Sequence, residues 1–453
     1  MYTCWRVGAT PPGTVVGVQD PLSLPTEEMR RLGYRVVDRI VAHLGELEEL
    51  PPIRVGDAAE LRAALGGPPP EAPGDPDAAL DDLFEQVLPF VQLPDHRRFF
   101  ARIGSPSNFV SVLGDLAASG YNIFTGSWTG GSGPATVELV VLDWLRLLCG
   151  MPDGTEGVLV TGGSVASLVG LAAARTARGP GVVYVSPEGH ASVARAARLL
   201  ALEVRVLPAL TADAVRAAGA PGIVAATAGT TSTGAVDPLP ELADVCEELG
   251  LWLHVDGAYG APAMLTEPGR TVLSGIERAD SLVLDPHKWL FQPYEIGCVL
   301  MREPGLLERA FSLDGVYLRD TTSTDVQFRD RSPQLTRGSR ALKLWLSLRV
   351  FGLDAFKAAI ARGLALAELA EAILREREGW EVVTPAQLAI VTFRRDGPDE
   401  LTDRIVAAAV AEGFTAPSTT ILDGRPVARL CTINPRTTDE DIRATIERLE
   451  QLA

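Results

Sequence analysis

From about Gly157 onward, short β-branched runs alternate with Ala/Leu-rich stretches, and this rhythm narrows the fold more than any other feature. The runs are Gly157–Thr161, Gly181–Ser186, Val204–Leu207, Ile223–Thr227, Leu251–Asp256, Ser281–Leu284 and Cys298–Met301. Between them, Val165–Ala177, Ala191–Leu200 and Leu239–Leu249 carry helical spacing. Strands that alternate with helices predict an α/β layer fold with a mostly parallel sheet.

The flanks read differently. Thr26–Leu50 places Met29, Val36, Val37, Ile40 and Leu44 at three-and-four spacing, so it predicts a helix that Pro51-Pro52 stops. A Pro/Gly/Asp-rich loop, Gly66–Asp77, precedes a second helix at Ala78–Val91. A long helical stretch, Arg340–Glu378, leads to a tail that reads strand, helix, strand, strand, helix. Its pieces are Ala389–Phe393, Asp399–Glu412, Thr419–Leu422, Val427–Thr432 and Asp439–Gln451. The expected organisation is a disordered tail over 1–25 and an N-terminal helical segment over 26–95. A large α/β domain over 96–345 and a small α+β domain over 346–453 follow.

A net charge of −17 disfavours nucleic acid or an anionic membrane as a partner, since both reward a basic face. Five scattered cysteines without a CxxC pair predict neither a disulfide framework nor a zinc site, and fit a reducing cytoplasm. No apolar run is long enough to span a bilayer, and the start lacks the pattern of a secretory signal.

Four signals fall at the ends of predicted strands, where open α/β sheets build their sites. Gly162-Gly163-Ser164, after Thr161, joins a strand to a helix. Such a turn lets backbone N–H groups approach an anion, although alone it is as readily a plain turn. His190 stands before a helix, where a lone histidine is usually a cap. Asp256 closes the strand His254-Val255-Asp256. His254 and Asp256 make a poor metal pair, because no further His/Cys cluster follows. Lys288 lies in Asp285-Pro286-His287-Lys288-Trp289, an apolar setting where burial is expected to lower the amine pKa and expose a nucleophile.

Together these meet the needs of pyridoxal 5′-phosphate (PLP). That cofactor requires an amine for its aldehyde, an acid opposite its pyridine nitrogen, an anion cradle and a flat group over its ring. Lys288, Asp256, Gly162–Ser164 and His190 supply them in turn.

The sequence resembles the group II PLP-dependent amino-acid decarboxylases, relatives of the aromatic-amino-acid, glutamate and tyrosine decarboxylases. The likeness runs from about residue 26 to the C-terminus. It is most specific over Ser186–His190 with Ser192-Val193, Ala226–Asp237, Trp252–Tyr259, Asp285–Leu290, Arg340–Gly352, and Leu422–Asn434 with Arg436-Thr437-Thr438. The resemblance implies the PLP-dependent transferase fold type I, with a mostly parallel seven-stranded sheet, and a homodimer with shared active sites. It makes Lys288 the cofactor lysine and Asp256 the partner of the pyridine nitrogen. Ala258 lies on one side of the ring and His190 on the other. Gly162, Gly163 and Ser164 hold the phosphate with help from His287, Thr227 bonds near Asp256, and Arg340, also a candidate substrate residue, helps fix the catalytic loop or cofactor contacts.

Two positions depart from the family pattern. Phe328 aligns with the loop tyrosine that protonates the substrate carbon after CO₂ leaves, and Tyr317 matches a different upstream tyrosine. A phenylalanine there leaves two readings open: plain decarboxylation with another proton donor, such as His190 or water, or oxygen-dependent formation of an aldehyde. In Phe99–Ser105, Arg102, Ile103 and Gly104 stand where aromatic-substrate enzymes carry aromatic residues, and Gly126 replaces another aromatic. An Arg102 facing the pocket favours an anionic substrate side chain; an Arg102 facing solvent carries no such meaning. The expected activity is α-decarboxylation of an L-amino acid. The rivals are an aldehyde synthase and a catalytically silent homologue.

Overall fold

The computed structural model describes residues 20–313 and 325–453, so Tyr317 and the tail before residue 20 lie outside it. The described chain falls into two compact units. One holds the residues up to Leu47 together with Gly56–Phe90; the other holds Glu48–Val55 and Val91–Ala453. The first unit contains helices Thr26–Glu46, Ala58–Leu65 and Pro76–Asp82. None of these buries a residue. Inside the unit Arg31 and Arg35 of the first helix pair with Asp77, and Arg35 also with Asp81.

The second unit carries both sheets. Its large sheet is built from β1 (Glu156–Val160), β2 (Val182–Val185), β3 (Glu203–Val206), β4 (Gly222–Thr227), β5 (Trp252–Asp256), β6 (Ser281–Leu284) and β7 (Gly297–Met301). The strand order is β1-β7-β6-β5-β4-β2-β3. The pairs β2–β3, β2–β4, β4–β5 and β5–β6 are parallel, while β7 runs antiparallel to β6 and β1. Helices cover this sheet, so β2, β5, β6 and β7 are buried along their whole length and read as apolar runs rather than as alternation. This is fold type I, and each of the seven runs read from the sequence became a strand.

The smaller sheet contains β8 (Trp380–Gln387), β9 (Ile390–Arg395), β10 (Ser418–Leu422) and β11 (Arg425–Cys431), in the order β10-β11-β9-β8. Strand β8 escapes the sequence reading because Pro385 interrupts it and its register against β9 shifts twice. It survives as an edge strand, the place in a sheet that tolerates proline. The domain boundary expected at 345/346 falls inside one helix, Ala341–Arg375, which breaks instead at Gly352. There φ is +73°, a left-handed conformation that glycine adopts without strain. Helices Phe109–Gly120 and Trp128–Leu148 were not read from the sequence.

His254 is fully buried on β5, and its Nδ1 lies 2.8 Å from Ser281 Oγ, which also accepts from Trp252 Nε1 at 2.9 Å. Burial pushes its pKa down to about 4, against a weaker pull from Asp256. The unfolded chain therefore binds this proton first. Stability is full above the ordinary histidine pKa and falls as pH drops from there toward 4, by up to about 3 kcal/mol for this residue. Asp237, pushed up to about 6 by burial, works the other way over the acid range. Urea midpoints of the wild type and His254→Gln between pH 7 and 4.5 isolate the effect. The variant is expected to lose less stability on acidification, and parallel curves would contradict this.

Candidate active site

Because β1, β2, β4, β5 and β6 all point one way, their carboxyl ends gather on one edge of the sheet, where ligands bind in open α/β folds. A cavity of about 510 Å³ opens there. Its wall includes Gly162, Gly163 and Ser164 after β1, His190 after β2, and Thr227 closing β4. Asp256 and Ala258 at the end of β5 and His287 and Lys288 after β6 complete the set. Every residue expected to touch the cofactor thus lines one cavity, although up to 126 residues separate them in sequence.

Lys288 is half-buried, and its Nζ lies 3.0 Å from Asp285 Oδ2. The turn after β6 sets this contact, since residues i and i+3 of one turn face each other. Burial alone would lower the amine pKa. The charges of Asp285 and Asp256 and the hydrogen bond to Asp285 more than offset that, so the pKa stands above the ordinary lysine value. This corrects the expectation of a lowered pKa: the residue spacing made burial visible but not the facing carboxylate. Asp285 is 2% exposed, and its Oδ1 has no hydrogen-bond partner among the described residues.

The cradle is tight. A Cβ at Gly163 would sit 2.9 Å from Asp285 Oδ2 and 3.2 Å from Ala258 Cβ, so only glycine lets the helix Gly163–Arg178 begin this close to Lys288. That helix presents free N–H groups and its positive end to the cavity. His287 lies beside it, with Nε2 3.7 Å from Asp285 Oδ2 and Nδ1 accepting from the Ile296 N–H at 3.3 Å. Burial, with Lys288 adding to it, lowers the His287 pKa. A neutral ring that accepts at Nδ1 carries its proton on Nε2.

Asp256 is 6% exposed and takes the Ala258 N–H on Oδ1 at 3.1 Å, which fixes its carboxylate at the cavity edge. Thr227 pairs with Asp256 in register across β4 and β5, while its N–H donates to Asp237 at 2.7 Å. His190 caps the helix Ala191–Leu199, with Nδ1 2.7 Å from Ser192 Oγ, and so serves as cap and cavity wall at once. Amine, acid, glycine cradle and flat ring around one cavity fit PLP. Among the described residues no group of His, Cys, Asp and Glu could hold a metal.

The substrate expectations divide. Ile103 lines the cavity; Arg102 does not. Arg102 is exposed, adopts a left-handed φ of 54°, and turns its Nη1 toward Gln92 Oε1 at 3.4 Å. Gly126 is also absent from the wall, since a Cβ there would run into the Phe124 ring and the Leu335 carbonyl. Arg340 reaches the cavity only through Glu295, 3.3 Å away. Phe328, expected on a catalytic loop, is 0% exposed on the short turn Phe328–Asp330. The guanidinium carbons of Arg337 and Arg331 lie 5.0 and 5.8 Å from its ring centre, and this cation–π clamp holds it away from the wall.

Several wall residues went unread: Ser105, Ser192, Thr231, Tyr259, Tyr294 and Glu295. Tyr294 and Glu295 lie in an irregular loop whose direction no periodicity reports. Tyr259 stacks on Trp289 with ring centres 5.2 Å apart.

A sequence model described as "Pyridoxal-dependent decarboxylase conserved domain" matches residues 61–396. An "Aromatic-L-amino-acid decarboxylase" of Bacillus atrophaeus is 41% identical over 468 residues, covering 96% of this chain and 98% of that protein. A "Phenylacetaldehyde synthase" of Arabidopsis thaliana is 29% identical, covering 92% and 94%. The solved structure of Catharanthus roseus tryptophan decarboxylase in complex with L-tryptophan matches with a TM-score of 0.88 and 26% identity, over 96% of this chain and 99% of that one.

Proposed function

Since the chain belongs to the pyridoxal-dependent decarboxylases and is a PLP-dependent carboxy-lyase, we propose that it decarboxylates an aromatic L-amino acid to the amine. The carrying observation is the wall that receives the side chain. Ile103, Tyr259 and Tyr294 are apolar or aromatic, and Arg102, the one residue that favoured an anionic substrate, faces away. The 41% identical relative bears the name of an aromatic-amino-acid enzyme, which supports the same class.

When bound, PLP withdraws electrons from the substrate's Cα, so that the bond to the carboxylate can break as CO₂. Lys288 would anchor the cofactor through its amine, and Asp285, 3.0 Å from that amine, would hold or accept its proton. Asp256 holds a proton on the pyridine nitrogen by its negative charge. The Gly162–Ser164 cradle fixes the phosphate, and Ala258 and His190 hold the ring flat between them. The amine product is favoured over the aldehyde because the 41% identical relative bears the name of a decarboxylase. A cofactor site complete in every part also weighs against a catalytically silent homologue.

A second copy is expected to cover the apolar face where Leu147, Val350, Phe351 and Leu353 stand 45–59% exposed around a groove. The test is a panel of aromatic, aliphatic and acidic amino acids read for CO₂, amine and peroxide, on protein whose size is checked by sedimentation. Aromatic substrates should give CO₂ and amine in equal amounts from a dimer. Turnover restricted to acidic substrates would sink the substrate reading, and peroxide matching CO₂ would restore the aldehyde synthase.

A further inference from the structure

Decarboxylation leaves an electron pair on Cα that must receive a proton, and Phe328 has none to give. Among the described residues, and beside His190 and His287, which the ring and the phosphate cradle would engage, the wall holds few groups suited to replace it. Serine and threonine hydroxyls are far too weak as acids. Tyr259 lies flat on Trp289 and is 3% exposed; burial pushes its pKa well above the ordinary tyrosine value. A phenolate formed there would be cut off from water.

Tyr294 differs in exposure and in packing. It lines the cavity, stands 56% exposed, and packs its ring 5.2 Å from His287 at a tilt of 48°. Lys288 lines the same cavity. A group beside the cofactor lysine and open to water can give a proton and recover it.

We propose that Tyr294 is the acid that returns a proton to Cα once CO₂ has left, a role that rests on the decarboxylase reading. The Cα–carboxylate bond breaks and leaves its electron pair; the Tyr294 O–H bond then breaks and its proton forms the new Cα–H bond. The phenolate regains a proton from water. One proton is consumed per turnover, and no oxidant or reductant enters.

The test compares wild type, Tyr294→Phe and Tyr294→His as holoenzymes with an aromatic amino acid in air. Wild type gives CO₂ and amine one to one. The Phe variant is expected to form amine about a hundredfold or more slowly, the range for loss of a general acid. It still releases CO₂, and the electron pair left unprotonated reacts with dioxygen to give aldehyde, ammonia and peroxide. The His variant, which keeps a proton donor, should recover part of the amine. The visible absorbance of the resting enzyme, titrated with pH, should shift its midpoint in the Phe variant, because Tyr294 shares the cavity wall with Lys288. One-to-one CO₂ and amine at the wild-type rate from Tyr294→Phe would overturn the proposal. So would equal loss of CO₂ and amine in both variants, which marks a merely structural residue. Wild type that yields no CO₂ from any amino acid overturns the decarboxylase reading instead.

Discussion

Replacing Lys288 with alanine is expected to cut turnover by more than about a thousandfold, since the nucleophile that anchors and hands over the cofactor is gone. The visible absorbance that PLP acquires on joining the protein should vanish with it. The geometry adds a second consequence. Asp285 would keep its carboxylate 2% exposed while losing its partner at 3.0 Å. A buried carboxylate left alone takes up a proton rather than remain charged. The variant should therefore hold PLP weakly through the phosphate cradle alone. A Lys288→Ala protein that keeps the absorbance and a tenth of the activity would place the cofactor lysine elsewhere.

Asp256→Asn is expected to lower kcat by about a hundred- to a thousandfold, the scale for removing one preorganised electrostatic contact from a transition state. Asn has nearly the same shape and can still accept the Ala258 N–H, so the fold around β5 should hold. What disappears is the negative charge that keeps the pyridine nitrogen protonated and the ring electron-withdrawing. The loss should therefore fall on kcat more than on cofactor affinity, as single-turnover CO₂ release and a PLP titration would show. Activity within tenfold of wild type would mean that another acid serves the ring.

These predictions differ in where they could first be read. Lys288, Asp256, His190 and the Gly162–Ser164 turn were legible in the sequence, because each closes a strand, opens a helix or sits in the turn just after a strand, and position along a strand fixes the end of the sheet a residue reaches. The seven strands were legible for a related reason: buried parallel strands leave unbroken β-branched runs bounded by turn residues. The edge strand β8, with its proline and its shifted register, left no such mark.

The residues that decide product and substrate were not legible in the same way. Alignment put Phe328 on a loop and Arg102 in the pocket, but each lies in irregular backbone, where a side chain's direction is set by distant partners. Phe328 is held by Arg337, which itself bonds Glu138 and the Leu159 carbonyl in the buried interior. Arg102 is turned aside by its left-handed backbone and by a contact with Gln92. The sequence by itself determined the fold type, the cofactor and the set of residues that line the candidate site, since these rest on local pattern and on order along the strands. Only the tertiary structure decided that Asp285 charges Lys288, that Phe328 is sealed away and that Tyr294 faces the cavity. Those are matters of through-space contact, and periodicity carries no record of them.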